Sequence, residues 1–94
     1  MSDQITRRSN ETWEAVAPAW EHHRDRIFDA TRAISDCLVD LIEVDPRNSV
    51  LELTAGTGET GLLVAERLGS GGRLISTDFS EEMVRAATNQ CISP

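Results

Sequence analysis

Three glycines in the middle of the chain have a spacing that suits the binding of a nucleotide-type ligand. Gly56, Gly58 and Gly61 follow a mostly apolar run at residues 50–53, and a helical pattern begins at Leu62. Glycine is needed where the backbone takes a positive φ or where a ligand comes close to the main chain. The free N–H groups and the positive dipole end of the following helix face this turn. The order strand, glycine turn, helix therefore predicts a binding corner.

Two acidic residues flank this corner and bear on the ligand that it takes. Glu52 lies on the strand just before the glycines, and Asp78 lies 22 residues after Gly56. A carboxylate at Glu52 would repel the pyrophosphate of a dinucleotide but would attract the ammonium and sulfonium groups of S-adenosylmethionine. Asp78 can accept hydrogen bonds from the ribose hydroxyls of either ligand. Phe79 and Met83 offer an apolar, polarisable face for an adenine ring.

The elements that position these residues alternate after a long helical start. Residues 1–9 are predicted to be frayed and residues 10–45 helical, with Pro18 marking a break or the start of a second helix. Strands are predicted at 49–53 and 73–77 and helices at 60–68 and 81–90, with Ser80 as an N-cap. The second helix should pack through an apolar stripe, which comprises Ile27, Thr31, Ile34, Leu38 and Leu41, widened by Cys37 and Ile42.

Composition excludes several classes of partner. The 94 residues carry a formal net charge of −7, which argues against nucleic acid or an acidic membrane surface. No apolar run is long enough to span a membrane. Cys37 and Cys91 fit no metal-binding pattern, so we predict no metal site and two reduced thiols, one of them in a helix core. The predicted location is cytoplasmic.

The segments VLELTAGTGETG and ISTDFSEEMVRAA resemble the first two motifs of class I S-adenosylmethionine-dependent methyltransferases. The likeness is to the branch that methylates small molecules, including the quinone-biosynthesis C-methyltransferases, and it spans residues 13–87. Upstream, Trp13-Glu14-x-x-Ala17-x-x-Trp20-Glu21 is similar to the family's N-terminal pattern, in which a helix caps the cofactor pocket. The resemblance implies transfer of a methyl group from S-adenosylmethionine to a small-molecule acceptor. It implies nine cofactor-binding residues: Glu52, Thr54, Ala55, Gly56, Thr57, Gly58, Asp78, Phe79 and Met83.

One position departs from the family's pattern, and no residue of the chain can be assigned as the catalytic base. Thr54 stands where the family's motif has its first glycine, which is tolerable if the backbone there is ordinary strand. None of the residues is a convincing catalytic base, so the catalytic residues and the acceptor atom stay unassigned.

The predicted fold class is α/β, namely the N-terminal portion of a Rossmann-like doubly wound parallel sheet in the order helices-β-α-β-α. Residues 1–48 would form a helical cap, and residues 49–94 the start of a cofactor-binding domain. Two parallel strands leave two open edges and too little cover, so we interpret the chain as truncated. We therefore expect the 94-residue chain alone to be inactive and to self-associate through its exposed sheet edges.

Alternative interpretations accompany this one. The same glycine spacing occurs in NAD(P)-binding Rossmann domains, although Glu52 and the long helical start argue against that class. The chain could also be a non-catalytic partner whose strand edges complete the sheet of another chain. Asp78 with Ser80 could form only a turn and a helix cap, and Trp13 and Trp20 could serve packing alone.

Overall fold

The computed structural model describes residues 2–92 and combines helices with a small parallel sheet. Its elements, in chain order, are α1 (Ser2–His22), α2 (Arg24–Leu41), β1 (Ser49–Glu52), α3 (Glu59–Ala65), β2 (Arg73–Ser76) and α4 (Glu81–Ile92). The fold is mixed α/β, in the predicted order. Helix α1 packs on α4, and α2 packs on α3. The predicted division of the chain at residue 48, into a helical cap and a cofactor-binding domain, stays a prediction.

The N-terminal helix differs from the prediction in two ways. It is already helical from Ser2, so the predicted frayed start is wrong, and it continues through Pro18. Proline removes one helical N–H, but Ala17 beside it is fully buried, and packing against α4 holds the helix together there. The break comes instead at His23, with φ −100° and ψ 12°. The His23 N–H still donates to the Ala19 carbonyl at 3.0 Å, so α1 and α2 are almost continuous.

The two strands are parallel neighbours, as the alternation of strands and helices predicts. Their register pairs Glu52 with Ser76. Beyond the strands, the Thr77 N–H donates to the Glu52 carbonyl and the Ala55 N–H donates to the Thr77 carbonyl, both at 2.9 Å. These bonds extend the pairing past the strand ends, so the glycine turn is fixed relative to the segment that follows β2.

The hydrophobic core is small and lies between α2, α3 and the sheet. Its buried centre is Val39, Leu63 and Val64. Partly buried apolar residues surround it: Phe28, Val44, Val50, Leu68 and Leu74. Ser35 on α2 is also buried, and its hydroxyl lies 3.1 Å from that of Thr60 on α3. The face of α2 that packs against α3 is therefore centred on Ser35 and Val39.

This packing corrects the predicted stripe on α2. Four of its apolar members are more than half exposed: Ile34, Leu38, Leu41 and Ile42. Cys37, which was predicted to widen the stripe, is exposed as well. The physical reason is that α3 has only seven residues and covers one side of a wide apolar surface. The side chain of Cys91 lies outside the described residues, so a thiol in a helix core stays a prediction.

Apolar residues of β1 and of the position just after it add to this exposed surface. Leu51 and Leu53 are 63% and 69% exposed, and β1 pairs only with β2 among the described residues. Self-association through these edges stays a prediction. Within residues 2–92, no helix combines the length and the apolar character that crossing a bilayer would need.

Candidate functional site

The turn between β1 and α3 has an alternating left-handed backbone. Thr54, Gly56 and Gly58 have φ values of 53°, 60° and 94°. The condition that would make Thr54 a tolerable departure, an ordinary strand backbone, is therefore not met, because the chain takes there the left-handed conformation that glycine adopts without strain. A β-branched residue rarely adopts it, and the Thr54 hydroxyl donates locally to the Leu53 carbonyl at 2.7 Å.

Asp78 ties this turn to the start of α4. One carboxylate oxygen accepts the Gly56 N–H and the other accepts the Ser80 N–H, both at 2.9 Å. The Ser80 hydroxyl in turn accepts the Met83 N–H at 3.2 Å, which confirms the predicted N-cap. Asp78 thus has the turn-forming role that was one of its two interpretations. A carboxylate offers about four lone-pair sites, so Asp78 can accept further hydrogen bonds. Its ribose-binding role therefore stays a prediction that is compatible with these two bonds.

A cavity of about 330 Å³ lies between α1, the glycine turn and the start of α4. Its wall combines six of the predicted cofactor-binding residues with two tryptophans: Thr54, Gly56, Thr57, Asp78, Phe79, Met83, Trp13 and Trp20. The tryptophan rings are 6.1 Å apart and each is 39% exposed, whereas Met83 is buried. The fold thus gathers aromatic, sulfur and carboxylate groups from distant parts of the chain around one space, where an aromatic ring with a polar attachment could bind.

Three predicted site residues lie away from this cavity wall. Ala55 and Gly58 line a neighbouring cavity between the turn and α4. Glu52 accepts a hydrogen bond from the Ser76 hydroxyl at 2.8 Å. It also lies so close to α3 that a Cβ placed on Gly61 would be 2.6 Å from its Oε1. Burial raises the pKa of Glu52, with the Ser76 hydrogen bond opposing the rise and the charge of Glu59 adding to it. A ligand contact by Glu52 stays a prediction.

Helix α1 is held over the cavity by polar contacts that the sequence analysis missed. One oxygen of Glu14 accepts the Ser80 hydroxyl at 2.6 Å and the Glu82 N–H at 3.1 Å. The Ser80 hydrogen bond, followed by that of the Glu82 backbone, lowers the pKa of Glu14. The Asn10 side-chain amide also donates to the Phe79 carbonyl at 2.8 Å. A negative charge at a helix N-terminus is favourable, so Glu14 joins α1 to α4; its only sequence signal was its place beside Trp13.

Replacing Glu14 with alanine should loosen α1 over the cavity. We expect a lower Tm and a red shift of tryptophan emission, because Trp13 and Trp20 are the only tryptophans of the chain and both line the cavity. Glu14→Gln should do less, since its amide oxygen still accepts hydrogen bonds. Glu11→Ala, at an exposed position of the same helix, is the matched control. Unchanged emission in Glu14→Ala would show that other contacts hold α1.

No group of three or more metal-binding side chains occurs among the residues that the structure describes.

Comparison with known proteins identifies relatives that share a reaction class. The nocamycin O-methyltransferase of Saccharothrix syringae is 37% identical over 65 residues, covering 64% of this chain and 23% of that protein. The ubiquinone/menaquinone biosynthesis C-methyltransferase of Hydrogenovibrio crunogenus is 36% identical over 52 residues, or 55% and 20%. The 2-phytyl-1,4-naphtoquinone methyltransferase of Thermosynechococcus vestitus is 30% identical over 69 residues, or 72% and 31%.

These matches are partial on both sides. The chain spans between 20% and 31% of the length of these three relatives. No protein-family model matches the chain, and no solved structure matches it. The three relatives nevertheless confirm the resemblance that the glycine turn and the Asp78 segment indicated: this chain is similar in sequence to methyltransferases of the small-molecule and quinone type.

Proposed function

We propose that this chain binds S-adenosylmethionine, as the cofactor-binding part of a methyltransferase with a small-molecule acceptor. The observation that carries the proposal is the 330 Å³ cavity that joins the glycine turn, Asp78, Phe79 and Met83. The reaction class is supported by the methyltransferase relatives, of which one is named an O- and one a C-methyltransferase. The acceptor atom therefore stays open.

The residues on the cavity wall fit the parts of this cofactor. The free lone pairs of Asp78 would accept the ribose hydroxyls, and Phe79 and Met83 would contact the adenine. A Cβ built on Gly56 would meet nothing within 4 Å, so this glycine leaves the turn open to a close ligand. When bound, S-adenosylmethionine supplies an electrophilic methyl group. The chain's own residues would hold and orient it, and Trp13 and Trp20 would exclude water.

The proposal extends to fold and location. A strand, a helix and a parallel strand in register make up the repeating unit of a doubly wound sheet, so we assign β1, α3, β2 and α4 to a Rossmann-like sheet. Self-association through the edge carrying Leu51 and Leu53 and a cytoplasmic location belong to the same proposal. The alternative of an NAD(P)-binding domain is not favoured by the relatives.

Isothermal titration calorimetry with S-adenosylhomocysteine and with NAD tests the choice of ligand. We expect tighter binding of S-adenosylhomocysteine, because Glu52, Glu59 and Asp78 place carboxylates around the turn and oppose a pyrophosphate. The net charge of −7 acts in the same direction. Adenosine serves as the control, because both ligands contain it. Its affinity measures the contribution of the part that the two ligands share. Binding of NAD as tight as that of S-adenosylhomocysteine would contradict the proposal.

A further inference from the structure

A strip of exposed apolar side chains runs along α2 and continues onto β1. Between the two elements lies a hollow of about 190 Å³, whose wall includes Leu38, Ile42, Val50 and Leu51. Soluble monomers rarely expose contiguous apolar patches, and such patches mark interaction sites. We call this strip the α2–β1 surface, and its members are all more than half exposed: Ile34, Leu38, Leu41, Ile42 and Leu51.

The outer edge of β1 has free backbone groups. Two N–H groups of the neighbouring strand segment donate to the carbonyls of Asn48 and Glu52 at 2.9 Å each. Because alternate residues of a strand turn their backbone groups to opposite sides, those of Ser49, Leu51 and Leu53 point away from β2. Among the described residues β1 pairs only with β2, and the strand contains neither the proline nor the lysine that commonly protects an edge. This edge can therefore pair with another strand.

Charged groups of opposite sign lie at the two ends of β1. Arg47 before the strand and Arg73 beside its first residue are exposed and form no ion pair among the described residues. The nearby Asp45 accepts the Arg47 N–H within its own turn. At the other end, Glu52 and Glu59 have no cationic partner in the described chain. Two antiparallel copies of β1 would bring the arginines of each copy toward these acids of the other, whereas parallel copies would bring like charges together.

A two-fold axis at Leu51 makes the α2–β1 surface complementary to itself. An isologous pair uses the same surface on both copies. Leu51 is the middle one of the three outward residues of β1, so this axis places it opposite its own copy and places Ser49 opposite Leu53. The axis is perpendicular to the sheet, and both α2 helices therefore lie on the same face of the joined sheet. There Leu38 and Ile42 of each copy can cover the hollow between the two molecules.

We propose that the α2–β1 surface binds a second copy of this chain, with β1 paired to β1 in antiparallel orientation and α2 packed on α2. This inference rests on the self-association that belongs to the proposed function, and it adds the surface, the partner and the register. The result is a four-stranded sheet in the order β2-β1-β1-β2, which pairs the free edge and covers the exposed side of α2. The 330 Å³ cavity shares no wall residue with the α2–β1 surface, so each copy keeps its own ligand site.

Size-exclusion chromatography with light scattering, over a range of protein concentrations, measures the dissociation constant of the pair. We expect the parent chain to form a dimer. Ile34→Arg should raise the dissociation constant about ten-fold or more, because the contact would bury an unpaired charge. Ile5→Arg is the matched control, since Ile5 lies on α1 and is 64% exposed, against 65% for Ile34. This control should change the dissociation constant by no more than about two-fold, and circular dichroism checks that both variants are folded.

Cysteine cross-linking tests the register, in a chain that also carries Cys37→Ser and Cys91→Ser. Leu51→Cys should form an intermolecular disulfide on oxidation, because the axis places residue 51 opposite itself at a distance that a disulfide can span. Leu53→Cys is the matched control at a similarly exposed leucine. Its two copies would lie roughly 13 Å apart, four residues along the paired strands, so no disulfide should form.

Each result has a defined consequence for the inference. A parent chain that stays monomeric, or that forms only polydisperse aggregates, would overturn the inference and leave the α2–β1 surface to a different chain. Equal weakening by Ile34→Arg and Ile5→Arg would overturn the surface, and equal cross-linking of the two cysteine variants would overturn the register. A monomer that binds S-adenosylhomocysteine would overturn this inference alone, whereas a dimer that does not bind it would overturn only the proposed ligand.

Discussion

Replacing Asp78 with alanine is expected to lower the affinity for S-adenosylhomocysteine about ten-fold or more and also to lower the Tm. The loss of affinity follows because the ribose hydroxyls would be left without their acceptor, at roughly 1–3 kcal/mol. The loss of stability follows because the Gly56 and Ser80 N–H groups lose the carboxylate that they share at 2.9 Å each. Titration calorimetry and thermal unfolding measure the two effects separately.

Two further variants separate ligand binding from stability. Asp78→Asn keeps one acceptor oxygen and should fall between the parent and Asp78→Ala in both measurements. Asp45→Ala is the matched control, because Asp45 also accepts a backbone N–H, that of Arg47 at 2.9 Å, in a turn outside the two cavities. It should lower the Tm without changing affinity. If Asp78→Ala loses no more affinity than Asp45→Ala, Asp78 is a turn residue only.

Replacing Gly58 with alanine is expected to lower the free energy of unfolding by about 1–3 kcal/mol, the usual cost of a strained backbone conformation. Gly58 has φ 94°, a value that an L side chain rarely adopts. The new Cβ would also lie 3.1 Å from the Cβ of Ala87, so α4 would have to give way. Urea unfolding, followed by circular dichroism, measures the change.

Gly71→Ala is the matched control for Gly58→Ala. A Cβ at Gly71 would meet the Arg47 side chain at 3.6 Å, an ordinary contact, and Gly71 does not have a positive φ. Its free energy of unfolding should stay within about 0.5 kcal/mol of the parent. A Gly58→Ala variant as stable as Gly71→Ala would mean that the turn can adopt another conformation, and the ligand site built on it would need to be reconsidered.

Much of the local structure could be predicted from the sequence because its signals are local. The strands at Ser49–Glu52 and Arg73–Ser76 lie inside the predicted ranges, and the Ser80 cap begins α4 at Glu81. Such features depend on neighbouring residues: apolar runs, glycine turns and hydroxyl caps. Local signals failed where a distant contact outweighed them. Pro18 did not break α1: Ala17 beside it is fully buried, and the helix packs against α4.

The candidate site shows the same difference between features that local sequence determines and features that depend on distant contacts. By itself, the sequence determined the glycine turn, the acid after the second strand and the resemblance to methyltransferases, since each is a short motif whose meaning does not depend on the rest of the chain. Only the tertiary structure decided the surroundings of the two acids near the turn: Glu59 lines the cavity next to the turn, whereas Glu52 borders an apolar hollow beside α2. Glu52 and Glu59 are seven positions apart, and the glycine motif favoured Glu52 alone. In the fold Glu52 accepts the Ser76 hydroxyl, whereas one oxygen of Glu59 is buried without a hydrogen-bond partner among the described residues.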